Sequence, residues 1–324
     1  MEALRNSQLP FRSRSAIIGL IGVLAILIWA RPVLAGNPQR VQGTSTSLAP
    51  MEGFEPASGF AGFVNSHGGS ILVVEMPEQA YRQVSEKLGD LATARSEFAK
   101  KNIVVDRLEE ITTADGSKTP LLAGSQRGGD NTAYDKWMAV FKGPRTVLIT
   151  VTSPKANRLN VSAVRAMMES VSVGNPTKMV DKLAALPFSV AAAPPFRILD
   201  SLAGTALGMT VGDKDVDPAR TQPVLVIAYE LYELEDPADL ERIPMPKTLR
   251  NPQIESRIEV RFAGYNGLLL NGRSDGGRRF SQYMALTGSK RVITMLVEAT
   301  ESEYDRLKPA VETIAKSVAI KEGK

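Results

Sequence analysis

The chain has 324 residues, 43% hydrophobic and 23% charged, a globular composition with room for two domains that each bury a core. The formal net charge is +4, but Arg5, Arg12, Arg14 and Arg31 against Glu2 place +3 of it in residues 1–35. The rest is close to neutral, which removes the electrostatic ground for binding nucleic acid. Cysteine is absent, which excludes disulfides, thiolate metal sites, a cysteine nucleophile and a lipid-modified cysteine.

Residues 1–35 read as an export signal. A basic start precedes an apolar run from Ala16 to Ala30, and Val33-Leu34-Ala35 suits a signal peptidase cutting before Gly36. The alternative is an uncleaved anchor formed by residues 16–30, although fifteen apolar residues are short for a membrane that needs roughly 20. Either way the expectation is a periplasmic or secreted protein, touching the membrane only through this segment if it stays attached.

Residues 36–50 form a polar leader. A first repeat over 51–173 is expected to hold strand pieces near Phe54 and Phe60–Phe63 and a buried strand Ile71-Leu72-Val73-Val74. One helix follows from about Glu78 to Lys100, with Val84, Leu88, Leu91 and Phe98 on its apolar face. Four meander strands follow at 103–112, 120–126, 134–141 and 145–152. Asp115-Gly116, Gly128-Gly129 and Gly143-Pro144 supply the turns between them. A closing helix begins near Asn157.

A linker, 174–186, leads into a second repeat at 187–320 and a polar tail at 321–324. Val224–Ala228 matches the Ile71 strand, and a weaker helical stretch covers 236–249, interrupted by Pro244 and Pro246. Strands follow at 254–262, 267–273, 279–286 and 291–299. The last helix is expected to start between Asp305 and Lys308, because Pro309 favours a first turn.

The two halves share a written pattern. Leu121-Leu122-Ala123-Gly124-Ser125-Gln126-Arg127-Gly128-Gly129 is matched by Leu269-Leu270-Asn271-Gly272-Arg273-Ser274-Asp275-Gly276-Gly277, 148 residues on. Trp137-Met138-Ala139-Val140 is matched by Tyr283-Met284-Ala285-Leu286, and the match continues to Ser170-Val171 against Ser317-Val318. A repeat this long is a domain duplication, not a solenoid. Hairpins bounded by helices predict the α+β class: two tandem copies of a mainly antiparallel sheet flanked by helices. This element order, over roughly 50–173 and 187–320, resembles the photosystem extrinsic subunit family, the PsbP-like fold. The resemblance implies a binding and assembly scaffold, and it carries over no functional residue.

Few residues suggest chemistry. His67, the only histidine, lies in the turn-like Asn65-Ser66-His67-Gly68-Gly69-Ser70, without a Gly-x-Ser-x-Gly elbow to make a triad. Asp213, Asp215 and Asp217 alternate as calcium ligands do, but an EF-hand would need Gly and Glu where Pro218 and Val224 stand. The repeated glycines lead into strands instead of opening a helix, so they fit hairpins rather than a phosphate cradle. Trp137 and Tyr283 occupy the same place in the written repeat, as core residues or as the wall of a ligand groove. Arg273, Arg278 and Arg279, with Lys290 and Arg291, form a basic group that could meet an acidic partner or phosphate headgroups.

The sequence therefore points to an envelope protein used for binding or assembly, without cofactor or metal. Two alternatives stand beside it. One is a hydrolase using carboxylates or serines in a cleft between the copies, and the other is a calcium module at Asp213, Asp215 and Asp217.

Overall fold

The computed structural model describes residues 37–128, 131–215, 217 and 219–321. The expected export segment lies outside them, as do Gly129, Val216, Pro218 and the end of the polar tail. Among the described residues, no helix is long and apolar enough to cross a membrane.

The first half opens with β1 (Gln39–Arg40), β2 (Thr46–Leu48), β3 (Phe54–Pro56), β4 (Gly62–Asn65) and β5 (Ser70–Met76). Two helices follow, α1 (Ala80–Leu88) and α2 (Leu91–Ala99). The meander is β6 (Ile103–Thr112), β7 (Lys118–Arg127), β8 (Ala133–Phe141) and β9 (Thr146–Pro154), closed by α3 (Val161–Glu169) and β10 (Ser172–Val173). The second half holds α4 (Met179–Ala185), β11 (Phe188–Ser189), β12 (Arg197–Leu202), β13 (Ala206–Thr210) and β14 (Val224–Glu233). After a 3-10 turn at Pro237–Arg242 come β15 (Gln253–Phe262), β16 (Tyr265–Ser274), β17 (Arg278–Leu286) and β18 (Arg291–Thr300). α5 (Glu301–Ser317) and β19 (Ala319–Ile320) end the chain.

Each half is built on one seven-stranded antiparallel sheet. The orders are β3-β4-β5-β9-β8-β7-β6 and β12-β13-β14-β18-β17-β16-β15, one topology written twice. The small strands repeat as well: β2 pairs with β10, and β11 with β19, so each lead-in strand meets the strand after the closing helix. This two-sheet arrangement fits the internal repeat.

The α+β expectation is corrected: strands hold 44% of the described residues and helices 21%, so the fold is β-rich. Two causes are visible. The meander strands run to nine or ten residues. The helices are shorter than the apolar spacing suggested. The single helix over 78–100 is two, because Gly89 ends α1 and Asp90 caps α2 by accepting from the Thr93 N–H at 2.8 Å. The helix expected over 236–249 is only the 3-10 turn, since Pro244 and Pro246 lack the N–H groups that a continuing helix needs.

Both closing helices begin away from their expected starts. Asn160, not Asn157, caps α3, its carboxamide accepting from Ser162 and Ala163. α5 begins at Glu301 and carries Pro309 inside it, because Tyr304 and Leu307 are buried on its first turns.

The cores lie on the sheet faces. The side chains that α3 buries, Val164, Met167 and Met168, meet Ile71, Trp137 and Val151 of the first sheet. α1 and α2 cover the opposite face through Leu88 and Ala94. In the second half α5 takes the role of α3. The 3-10 turn, through Leu240, covers only part of the opposite face.

The two halves meet through charge and backbone. Asp200 on β12 accepts from Lys182 of α4 and from Arg145 of the β8–β9 turn, each at 2.6 Å. The Lys182 side chain is 7% exposed, so its charge has little water. The Ala61 N–H also donates to the Ala203 carbonyl across the junction, at 2.7 Å. Burial raises the Asp200 carboxyl, but the hydrogen bond and charge of Lys182, helped by Arg145, outweigh it and hold the group below its ordinary value.

We expect Asp200→Asn to cost about 2 kcal/mol in denaturant unfolding, because Lys182 is left buried without its counter-charge. A carboxyl held low contributes stability that is present above roughly pH 4 and lost as pH falls through its folded value. The acid loss of stability should therefore be shallower in the variant than in the parent, measured from pH 6 to pH 2.5.

Candidate functional site

The repeated glycines mark a shared point of close backbone approach. Val105 and Arg107 pair with Gly124 and Ala123, so Asp106 is an extra residue, a bulge. Ile254 and Ser256 pair with Gly272 and Asn271, and Glu255 is the bulge. A Cβ on Gly124 would lie 2.1 Å from the Val104 carbonyl oxygen, and one on Gly272 would lie 2.1 Å from that of Gln253. Only glycine fits opposite either bulge. The structural use of Leu-Leu-x-Gly is thus a close backbone approach inside a strand, as well as a turn beyond it.

Counted from these glycines, the aromatics fall out of step. Trp137 is paired with Ala123, next to Gly124, whereas Ser281 is paired with Asn271, next to Gly272. Tyr283 is paired with Leu269, in the place held by Ala139 opposite Leu121. The same-place reading of Trp137 and Tyr283 is therefore corrected by two residues, although both lie on corresponding strands. In the first half, the cross-strand row Ala123, Trp137, Val151, Ile71 is wholly apolar and buried. In the second, the row reads Asn271, Ser281, Val297, Leu225. A large indole is exchanged for a hydroxymethyl, and the ring volume moves one pair along the strand.

A cavity of about 470 Å³ opens at this place, between the second sheet and α5. Its walls include Ile258, Leu269, Val297 and Leu307, with Tyr283 and Ser281 on the sheet side. Polar groups that would be orphaned in a core are joined in a directed chain. The Ser281 hydroxyl, in contact with Tyr304 Oη, donates to Asn271 Oδ1 at 2.5 Å, and Asn271 Nδ2 donates to Ser256 Oγ at 3.1 Å. The Arg279 guanidinium covers the Tyr304 ring at 4.5 Å and reaches Asp305 at 3.3 Å.

The Tyr283 hydroxyl lines the cavity, and among the described residues no protein group hydrogen-bonds to it. Its ring packs on Phe262, centroids 5.6 Å apart. Burial, with Glu312 and Tyr304 nearby, pushes its pKa up to about 12. Burial likewise raises Tyr304. Both phenols are therefore hydrogen-bond donors across the physiological range.

The arginines do not form one patch. Arg273 is held by Glu255 and Glu301, each at 2.7 Å, and Arg279 by Asp305. Arg278 points to the opposite sheet face, as strand alternation requires, and is buried against Glu298 and the Arg220 carbonyl. Lys290 and Arg291 lie at the other end of the β17–β18 hairpin, paired with Glu235 and Glu233. The expectation of a free basic cluster is corrected, since acidic partners within the chain take up these charges. Trp137 is a core residue, 5% exposed, and among the described residues its Nε1 has no hydrogen-bond partner.

The other candidates disperse. Asp215 pairs with Arg197 at 2.7 Å, and Asp217 accepts from the Gln222 N–H at 2.7 Å. Among the described residues no three such side chains could hold a metal ion, so the calcium reading of Asp213, Asp215 and Asp217 is not supported. His67 is exposed in its turn, with the Ser66 hydroxyl 3.3 Å from its Nδ1. A second cavity of about 440 Å³ lies at the junction of the halves, beside Phe60, Tyr229, Tyr265, Ser289, Arg291 and Lys321. Among the described residues no aspartate, glutamate or histidine lines it.

No family model matches this chain, and no curated protein matches it. Among solved structures it is similar to LpqN of Mycobacterium tuberculosis, described as involved in cell envelope biogenesis. That match has a TM-score of 0.32 and 17% identity, over 42% of this chain and 83% of the other. It is also similar to the immunity protein TplEi of the T6SS from Pseudomonas aeruginosa in complex with "L" peptide. There the TM-score is 0.28 and the identity 11%, over 84% of this chain and 99% of the other. Scores this low assign neither a fold nor a function.

The raised Tyr283 pKa has a measurable sign. An unfolded tyrosine ionises near pH 10, while the folded one keeps its proton to about pH 12. Its contribution is fully present below pH 10 and is lost as pH rises through the folded value. Urea midpoints should fall between pH 9.5 and pH 11.5 in the parent and fall less in Tyr283→Phe, with one late-titrating phenol missing from its ultraviolet difference spectrum.

Proposed function

We propose that this chain is an exported, non-enzymatic binding module of the cell envelope, and that its second half holds a small ligand between the sheet and α5. The supporting observation is the cavity at Ser281, with the unpartnered Tyr283 hydroxyl in its wall. Ligand sites of this kind are concave, mostly apolar and set with a few placed polar groups. Export rests on the basic and apolar residues at the start of the sequence.

The polar groups of this cavity suit binding better than catalysis. A serine nucleophile needs a neighbouring base, yet Ser281 gives its proton to an amide oxygen, which is no base. Its other neighbour, Tyr304, has its pKa raised by burial and keeps its own proton. The junction cavity lacks the paired acids that a carboxylate hydrolase requires.

Filling the cavity tests the reading. Ser281→Trp places an indole where the first half has one. Against a panel of small polar and amphiphilic compounds, several should raise the melting temperature of the parent protein, as any ligand of the folded state does. The same compounds should leave Ser281→Trp unmoved. A panel that shifts both proteins equally would place binding elsewhere and sink the proposal.

A further inference from the structure

We infer that the ligand of this cavity is a neutral aliphatic amphiphile, an acyl chain carrying an ester or similar carbonyl head. This rests on the binding reading given above. The body is set by the walls. Leu269, Val297, Leu307 and Val311 are aliphatic, and Ile258, beside them on β15, is 47% exposed. A large apolar side chain left open at a cavity gains about 25 cal/mol for each Å² that a ligand covers.

Flat rings and sugars gain less from stacking here, because the two aromatic rings of the wall are already partly covered. Phe262 packs against the Tyr283 ring and Arg279 lies over that of Tyr304.

The head is set by the donors. The chain running from Ser281 through Asn271 ends on Ser256 Oγ, which accepts there and has no acceptor for its own hydrogen among the described residues. Tyr283 offers a second free hydroxyl hydrogen. Two hydroxyl donors call for acceptor oxygens on the ligand. Glu255 and Asp305 at the cavity are already paired with Arg273 and Arg279, which leaves Glu312 and Lys308, of opposite sign, on the α5 wall. Glu312 disfavours a carboxylate head and Lys308, one turn before it on α5, disfavours a positive one. A neutral carbonyl meets both conditions.

The test is titration calorimetry with 1-monolauroylglycerol, laurate and glycerol, each amphiphile below its micelle concentration. Monolauroylglycerol should bind one per chain, at least tenfold tighter than laurate, with glycerol silent. Ser281→Trp should abolish this binding. Tyr283→Phe, which keeps the ring, should weaken it about tenfold, the worth of one hydrogen bond. Laurate binding as tightly as the ester would overturn the neutral head. Ester binding that survives both substitutions would overturn the site. If neither amphiphile binds, while polar compounds still stabilise the parent and not Ser281→Trp, the ligand class fails and the binding reading stands.

Discussion

The hydrogen-bond chain joining Tyr304, Ser281, Asn271 and Ser256 is the constraint on which the second half depends. It ties α5 to three neighbouring strands, β15, β16 and β17, through side chains that point into what is otherwise an apolar layer. A net gain of roughly 1 kcal/mol per bond is modest, whereas an unmade bond in such a place costs about 1–3 kcal/mol. The polar set therefore survives only complete. That completeness lets the layer hold an opening without collapsing, because the helix is fixed on the polar side as well as by Leu307, Val311 and Ile314 on the apolar side.

The first half shows the other solution. Trp137 and Val151 fill the row under α3, with Val164, Met167 and Met168 above them. The cost appears at the indole nitrogen, which is buried without an acceptor. Moving the ring two residues along the strand, to Tyr283, empties one position and keeps an aromatic anchor against Phe262. One duplicated scaffold thus carries a solid core and a hollow one.

Much of this was legible in the chain. The eight long meander strands follow from alternation and glycine turns, because long hairpins carry their own local signals. The helices were harder. Gly89-Asp90 divides an apolar stripe that continues in phase on both sides, so periodicity alone joins α1 to α2. Strands β12 and β13 and helix α4 went unseen because they are short and only partly buried. At the site, Tyr283 and Arg279 stand out in the sequence only by type and charge. The signal for the cavity was Asn271, a polar residue standing in the repeat where the other copy has Ala123. Ser281 and Tyr304 carry no such mark, since only the strand register brings them to Asn271. The arginines misled because their acidic partners, such as Glu301 and Glu298, are distant in sequence and adjacent only after folding.

The paired bulges at Asp106 and Glu255 bear on solubility. They lie on β6 and β15, the last strands of the two sheets, whose outer backbone groups would otherwise offer a template to any passing extended chain. A bulge bends such a strand and breaks the even ladder that fibre growth needs. On β15 the alternating charges Glu255, Arg257, Glu259 and Arg261 add repulsion for any misaligned copy. A protein with two open-ended sheets offers such edges to other copies of itself unless they are blunted. The glycine opposite each bulge then serves dispersal as much as shape.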